Sequence, residues 1–184
     1  MTRSQATRDR ILESARCLFA QEGYDGTTLR AVAAHARANV ALVIRYYRSK
    51  EALFLAASEF DLRLPDLGTA ARGELGTQLA AHFFDVWEDG PDGRQLVSLL
   101  RAAATHPDAR ARMQAIFETQ LRAAIRKLVP PDDSPDLRAT LIASQMLGFA
   151  FVRYVLGFAA EGMGRPAAVR ALGGALQRYL TEPL

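Results

Sequence analysis

Residues 26–50 read GTTLRAVAAHARANVALVIRYYRSK. Leucine, valine and alanine recur at helical spacing in two short runs, from Leu29 to about Ala36 and from Val40 to Tyr47. Arg37 and Ala38 join them. Each run is preceded by a residue type that starts helices: Thr28 before the first, Asn39 before the second. Ser49 stands the same way before a further helix opening at Lys50 and expected to reach about Arg63. Two short helices joined by a tight turn form a helix-turn-helix. Leu29, Val32, Val43 and Tyr47 are the faces expected to be buried, with Phe19 from the preceding helix.

Outward from this stretch, the whole chain reads as helix. The helix before it spans about residues 5–22, with Ile11, Ala15, Leu18 and Phe19 as an apolar stripe. Gly23 is its expected terminator. After the boundary at Pro65, Asp66 and Gly68, helices are expected at about 69–88, 94–105, 108–129, 135–161 and 166–181. Asp89–Gly93, His106-Pro107, Pro130–Asp133 and Gly162–Pro166 punctuate them. The expected fold class is therefore all-α: an N-terminal three-helix helix-turn-helix head and a C-terminal helical bundle, about nine helices in total. The expected division is 1–50 for the head and 51–184 for the body. Gly148 and Gly157, read as lying inside one helix, and Gly173-Gly174 in the last, are expected to mark close backbone packing.

Composition agrees with a globular chain. Of 184 residues, 49% are hydrophobic and 23% charged, with a net charge of +3. The charge is uneven: residues 1–50 carry nine Lys and Arg against four Asp and Glu. A basic head on a mildly acidic body implies a polyanionic partner at one end. The single cysteine, Cys17, excludes an internal disulfide and is expected to be a small core residue. His35, His82 and His106 have no ligand-like spacing, so no metal and no cofactor is expected. Nucleophile elbows, phosphate loops and H-E-x-x-H are absent from the sequence, so no enzyme is expected. The opening MTRSQATRDR has no apolar core of a signal peptide. The most membrane-like stretch, residues 141–160, contains Arg153, which would cost roughly 2.5–3.5 kcal/mol at a bilayer centre. No membrane association and a cytoplasmic location are expected.

The spaced pattern Gly23-Tyr24-x-Gly26-Thr27-Thr28-x-Arg30-x-Val32-Ala33, then Tyr46-Tyr47-x-Ser49-Lys50-Glu51-x-Leu53, resembles the DNA-binding head of the TetR family of bacterial transcriptional regulators. The likeness covers about residues 5–60. The segment ATLIASQMLGFAFVRYVL, with VRALGGALQRYL after it, is similar to the C-terminal domains of actinobacterial members. The resemblance implies a homodimer joined through its last two helices. It implies a double-stranded, pseudo-palindromic operator as partner, and repression relieved by a small-molecule effector in the body.

Residue roles follow from motif position and chemistry together. Thr28, Arg30, Arg37, Asn39, Tyr46 and Lys50 are expected to meet phosphates or frame the second helix. Val40, Ala41, Ile44 and Arg45 are the candidates for base edges, Arg45 toward guanine and the apolar three toward thymine methyls. Two positions depart from the family pattern: Arg37 stands where the turn usually has Gly, so another turn geometry is expected, and Ile44 stands where Tyr or His is common. For the effector, an apolar cavity is expected among Phe60, Phe83, Trp87, Leu100, Phe117, Leu121, Met146 and Phe149. The alternative reading is an all-α ligand-binding protein or enzyme that does not bind DNA specifically.

Overall fold

The computed structural model describes residues 3–90, 93–158 and 163–184. Among them the regular structure is all helix, with no strand. It forms two compact units. One holds Met1–Phe60 and Arg94–Met113; the other holds Asp61–Gly93 and Gln114–Leu184. The expected single division at residue 50 differs from this. The helix after Lys50 packs on the first helix, edge-on between Phe19 and Phe54 at 5.0 Å and between Tyr24 and Phe54 at 5.0 Å, and so belongs to the first unit. Residues 94–113 also fall in the first compact unit.

The first unit contains α1 (Arg3–Gly26), α2 (Leu29–His35), α3 (Val40–Tyr47) and α4 (Lys50–Ala57). Helix α1 is interrupted at Gly23, whose φ of 74° needs glycine, so the expected terminator is where the helical geometry fails. Ile11, Ala15, Phe19, Val32, Val43, Tyr47, Leu53 and Phe54 form the core, as the apolar spacing requires. Each fully buried large side chain contributes roughly 1.5–3 kcal/mol. Helix α4 is shorter than expected. The two partners of one hydrogen bond that would extend it are engaged elsewhere: the Ser58 carbonyl accepts from Arg112 Nε at 2.9 Å, and the Leu62 amide donates to Gln120 Oε1 at 2.7 Å. Two further helices begin with α6 (Gly93–Ala103) and α7, which opens as Pro107–Ile116; the division between units falls at the start of α6 and inside α7.

The second unit contains α5 (Leu75–Phe84), α8 (Pro135–Ala150) and α9 (Arg165–Thr181). Helix α5 starts later than expected because Asp66 caps a single short turn, Leu67–Thr69, through its carboxylate and the Gly68 amide. Three helices continue into wide π-type turns: α5 through Asp85–Asp89, α7 through Phe117–Arg122 before Ala123–Leu128, and α8 through Phe151–Val155. Helix α8 thus ends at Val155, and Gly157 lies beyond it with φ 71°, not inside a helix. Residues 159–161 of the expected helix, Gly162 and the Pro91-Asp92 punctuation lie outside the described residues.

The closest crossing is α5 on α9. A Cβ on Gly76 would strike the Gly173 carbonyl and the Gln177 backbone, and one on Gly173 would sit 2.9 Å from Thr77 Cα. The Gly76 amide donates to Gln177 Oε1 at 2.8 Å across the same crossing. Gly173 therefore marks close packing, as expected. At Gly148 and Gly174, apart from the helix's own backbone, nothing among the described residues lies within 4 Å of a Cβ, so close packing there is not made within one chain. At the C-terminal end of α9 the guanidinium of Arg138, 1% exposed, donates to the Asp133 carbonyl and carboxylate and to the Tyr179 and Glu182 carbonyls. It ties the start of α8 to the end of the chain. No described helix is long and apolar enough to cross a membrane.

Candidate DNA-binding face and aromatic cluster

Helices α2 and α3 have seven and eight residues, too few to persist alone in water. Side-chain caps and burial hold them. Thr28 Oγ1 accepts from the Ala31 amide at 3.1 Å, Asn39 Oδ1 from the Ala41 amide at 2.8 Å, and Ser49 Oγ from the Ala52 amide at 3.1 Å. Val43 and Tyr47 fix the inner face of α3, and the Tyr47 hydroxyl donates to the Arg8 carbonyl. The opposite face is left outward: Ala41 and Arg45 are exposed, and Ile44 is 48% exposed, an unusual state for isoleucine.

The turn keeps its left-handed geometry despite the missing glycine. Arg37 has φ 49°, and the Ala38 amide closes on the Ala33 carbonyl at 2.9 Å. The expectation of a different turn is corrected: that bond and one from the Arg37 amide to the Ala34 carbonyl at 3.1 Å close the turn against the roughly 1 kcal/mol penalty of a side chain there. A second strained residue was not foreseen. Arg48, after α3, has φ 66° and ψ −49°, and the Ser49 amide bonds the Tyr47 carbonyl at 2.8 Å. This is a γ-turn of the less favourable hand, and it sets the angle between α3 and α4.

Arg30, Arg37, Arg45 and Arg48 are exposed, and none is in an ion pair with a described acidic residue. Lys50 is placed differently. Its ammonium lies 4.6 Å from the Tyr24 ring centre and donates to the Asp25 carbonyl, so it braces the end of α1. The Tyr46 hydroxyl meets Ser4 Oγ at 3.0 Å and accepts from Arg45 Nη2 at 3.2 Å. Those two bonds, that with Ser4 first, hold its phenol below the ordinary tyrosine range. Ser4 was not found from sequence; nothing local signals a contact 42 residues away. Tyr24 is pushed up to about 12, first by burial and then by its hydrogen bond to Glu51. Cys17 is half-buried rather than in the core, and its sulfur accepts from Gln21.

The eight expected effector residues do not form one group. Phe60 and Leu100 belong to the first unit and the other six to the second. Phe83, Trp87 and Phe149 come together with Tyr154. Trp87 and Tyr154 stack at 5.6 Å with planes 8° apart, Phe83 stacks on Trp87 at 5.4 Å, and Phe149 meets Phe83 edge-on at 5.9 Å. Glu88 accepts from the Tyr154 hydroxyl and from Arg153 Nε. Burial, and then the Glu88 carboxylate, raise the Tyr154 phenol well above its usual range. Phe117 stands apart under the Arg122 guanidinium, Leu121 is buried, and Met146 is half-buried.

A capped helix-turn-helix on a basic face, carried with a second helical unit, defines a class of nucleic-acid-binding regulators. Comparisons narrow it. Residues 11–57 match the family described as bacterial regulatory proteins, tetR family. Residues 73–180 match the tetracyclin repressor-like C-terminal domain. The chain belongs to the TetR family. It is 32% identical over 106 residues to "Probable HTH-type transcriptional regulator YttP" of Bacillus subtilis, a match spanning 54% of this chain and 51% of that relative. The chain thus aligns with about half the length of that relative. Among solved structures it is similar to a TetR-family regulator from Streptomyces coelicolor, with 28% identity, a TM-score of 0.66, and 98% and 97% of the two chains covered. The multidrug binding protein EbrR, crystallised with imidazole, shares the fold at 20% identity and a TM-score of 0.73, with 98% and 94% covered.

Proposed function

We infer that the protein is a transcriptional repressor, not an enzyme, that binds a pseudo-palindromic DNA operator as a homodimer and is released by a small apolar effector. The observation that carries this reading is the outer face of α3. It presents Ala41, Ile44 and Arg45, with Val40 and the Asn39 cap at its start, beside the exposed arginines 30, 37 and 48. An α-helix with that face fits the major groove, which is roughly 12 Å wide. Ile44 suits a thymine methyl and Arg45 a guanine, while Thr28, Tyr46 and the arginines suit phosphates.

Dimerisation is read from α8 and α9. Leu137, Ser144, Gly148 and Phe151 recur along one exposed face of α8 and its continuation, and Gly174 is open on α9. A partner helix can approach closely there. Effector binding is read from the second unit's aromatic cluster and from the three wide turns, which carry Trp87, Phe117, Leu121 and Tyr154; such turns frequently mark functional sites.

Selection of bound duplexes from a random pool tests it. One palindrome with half-sites about one DNA turn apart, roughly 34–36 Å, is expected. Binding that is sequence-blind and lost steeply with salt would falsify it.

A further inference from the structure

The Tyr46 hydroxyl joins two distant parts of the first unit. It accepts from Arg45 Nη2 at 3.2 Å, a role fixed by a guanidinium that can only donate. It also meets Ser4 Oγ, on the opening turn of α1, at 3.0 Å. The Arg45 guanidinium lies over the Tyr46 ring, 5.1 Å from its centre. No described carboxylate pairs with Arg45. Tyr46 therefore orients Arg45, and Ser4 orients the Tyr46 hydroxyl.

We propose that Ser4 is a positioning residue for base reading: through the Tyr46 hydroxyl it presets the orientation of Arg45, the one cation among the base-facing side chains of α3, toward one base pair in each half-site. The inference rests on the reading of α3 as a major-groove helix. Arginine loses much rotamer freedom when it is ordered. Ordering it before contact favours the base edge that matches the preset direction and does nothing for a mismatched one. Ser4 carries no charge, so its contribution lies in discrimination and leaves counterion release unchanged.

The test uses the full chain as wild type, Ser4→Ala, Ser4→Thr, Tyr46→Phe and Arg45→Ala. Each is challenged with the duplex enriched from a random pool and with its single-base variants, over a range of salt. Ser4→Ala is expected to lose about three- to tenfold of discrimination at the base pair where Arg45→Ala loses it entirely, the size of one hydrogen bond. Tyr46→Phe should act at the same base pair on top of a uniform loss from its phosphate contact, Ser4→Thr should restore the discrimination that Ser4→Ala loses, and for the Ser4 variants, to which the outcomes below refer, the salt slope should not move. Equal weakening on every duplex, or an effect at a position that ignores Arg45, overturns the proposal. A wild type that is itself sequence-blind instead sinks the major-groove reading, and the proposal with it. Because Ser4 is exposed, an unchanged melting curve for Ser4→Ala separates either result from misfolding.

Discussion

Helices α2, α3 and α4 of the first unit begin on side-chain oxygens, those of Thr28, Asn39 and Ser49. Helices α5, α8 and α9 of the second begin with no side-chain cap bond at all. The difference follows from length. Seven- and eight-residue helices gain little from propagation, and a local cap of about 1 kcal/mol is a large part of what holds each in place. Helices of 10–17 residues rest instead on contacts made far along the chain. The starts of the three short helices are specified by neighbours in sequence, those of the longer helices of the second unit by neighbours in space.

The sharpest way to break this contrast is to remove a long-range tie. Arg138→Met should cost about 3–5 kcal/mol in urea unfolding, because three backbone carbonyls lose a buried donor. A cost below 1 kcal/mol would mean that water replaces the guanidinium. Next comes the α5–α9 crossing. Gly173→Ala should cost about 2–3 kcal/mol, since its methyl meets backbone rather than a flexible side chain. Gly174→Ala, one residue on, should gain about 0.5–1 kcal/mol of helix stability in a dissociated chain. Equal effects of the two would remove the crossing from the account.

In the first unit, Asn39→Ala should cost about 1 kcal/mol, read as a lower urea midpoint, with Ala41→Ser as a control that leaves the cap in place. The smallest effect is alkaline. Tyr24 holds its proton up to about 12 in the fold, through burial first and Glu51 second, against an unfolded value near 10. The folded state binds the proton more tightly, so this stability is complete below pH ~10 and is lost as pH rises toward 12. Thermal midpoints should fall over that interval, and fall less in Tyr24→Phe.

The same contrast explains what could be read from the sequence. The caps, the Gly23 break and the inward Val43 and Tyr47 were legible because each is a local pattern. The end of α4 was not, because it depends on Arg112 and Gln120, which are 54 and 58 residues from the groups they bond. Nothing local marks Arg138, because two of its carbonyl partners are 41 and 44 residues away. The effector residues were chosen for size and apolarity, and size does not say which rings share a neighbourhood. Phe83, Trp87 and Phe149 do; Phe117 does not.

Gly173 and Gly174 are adjacent in the chain and face opposite demands. A mutation at Gly173 is tested inside every folding molecule, before any second chain is met. A mutation at Gly174 meets no obstacle within its own chain. Among descendants of this gene, position 173 should hardly drift. If α9 is a face of the proposed dimer, position 174 should drift only in step with the partner surface, so two neighbouring letters would keep separate records, one of folding and one of association.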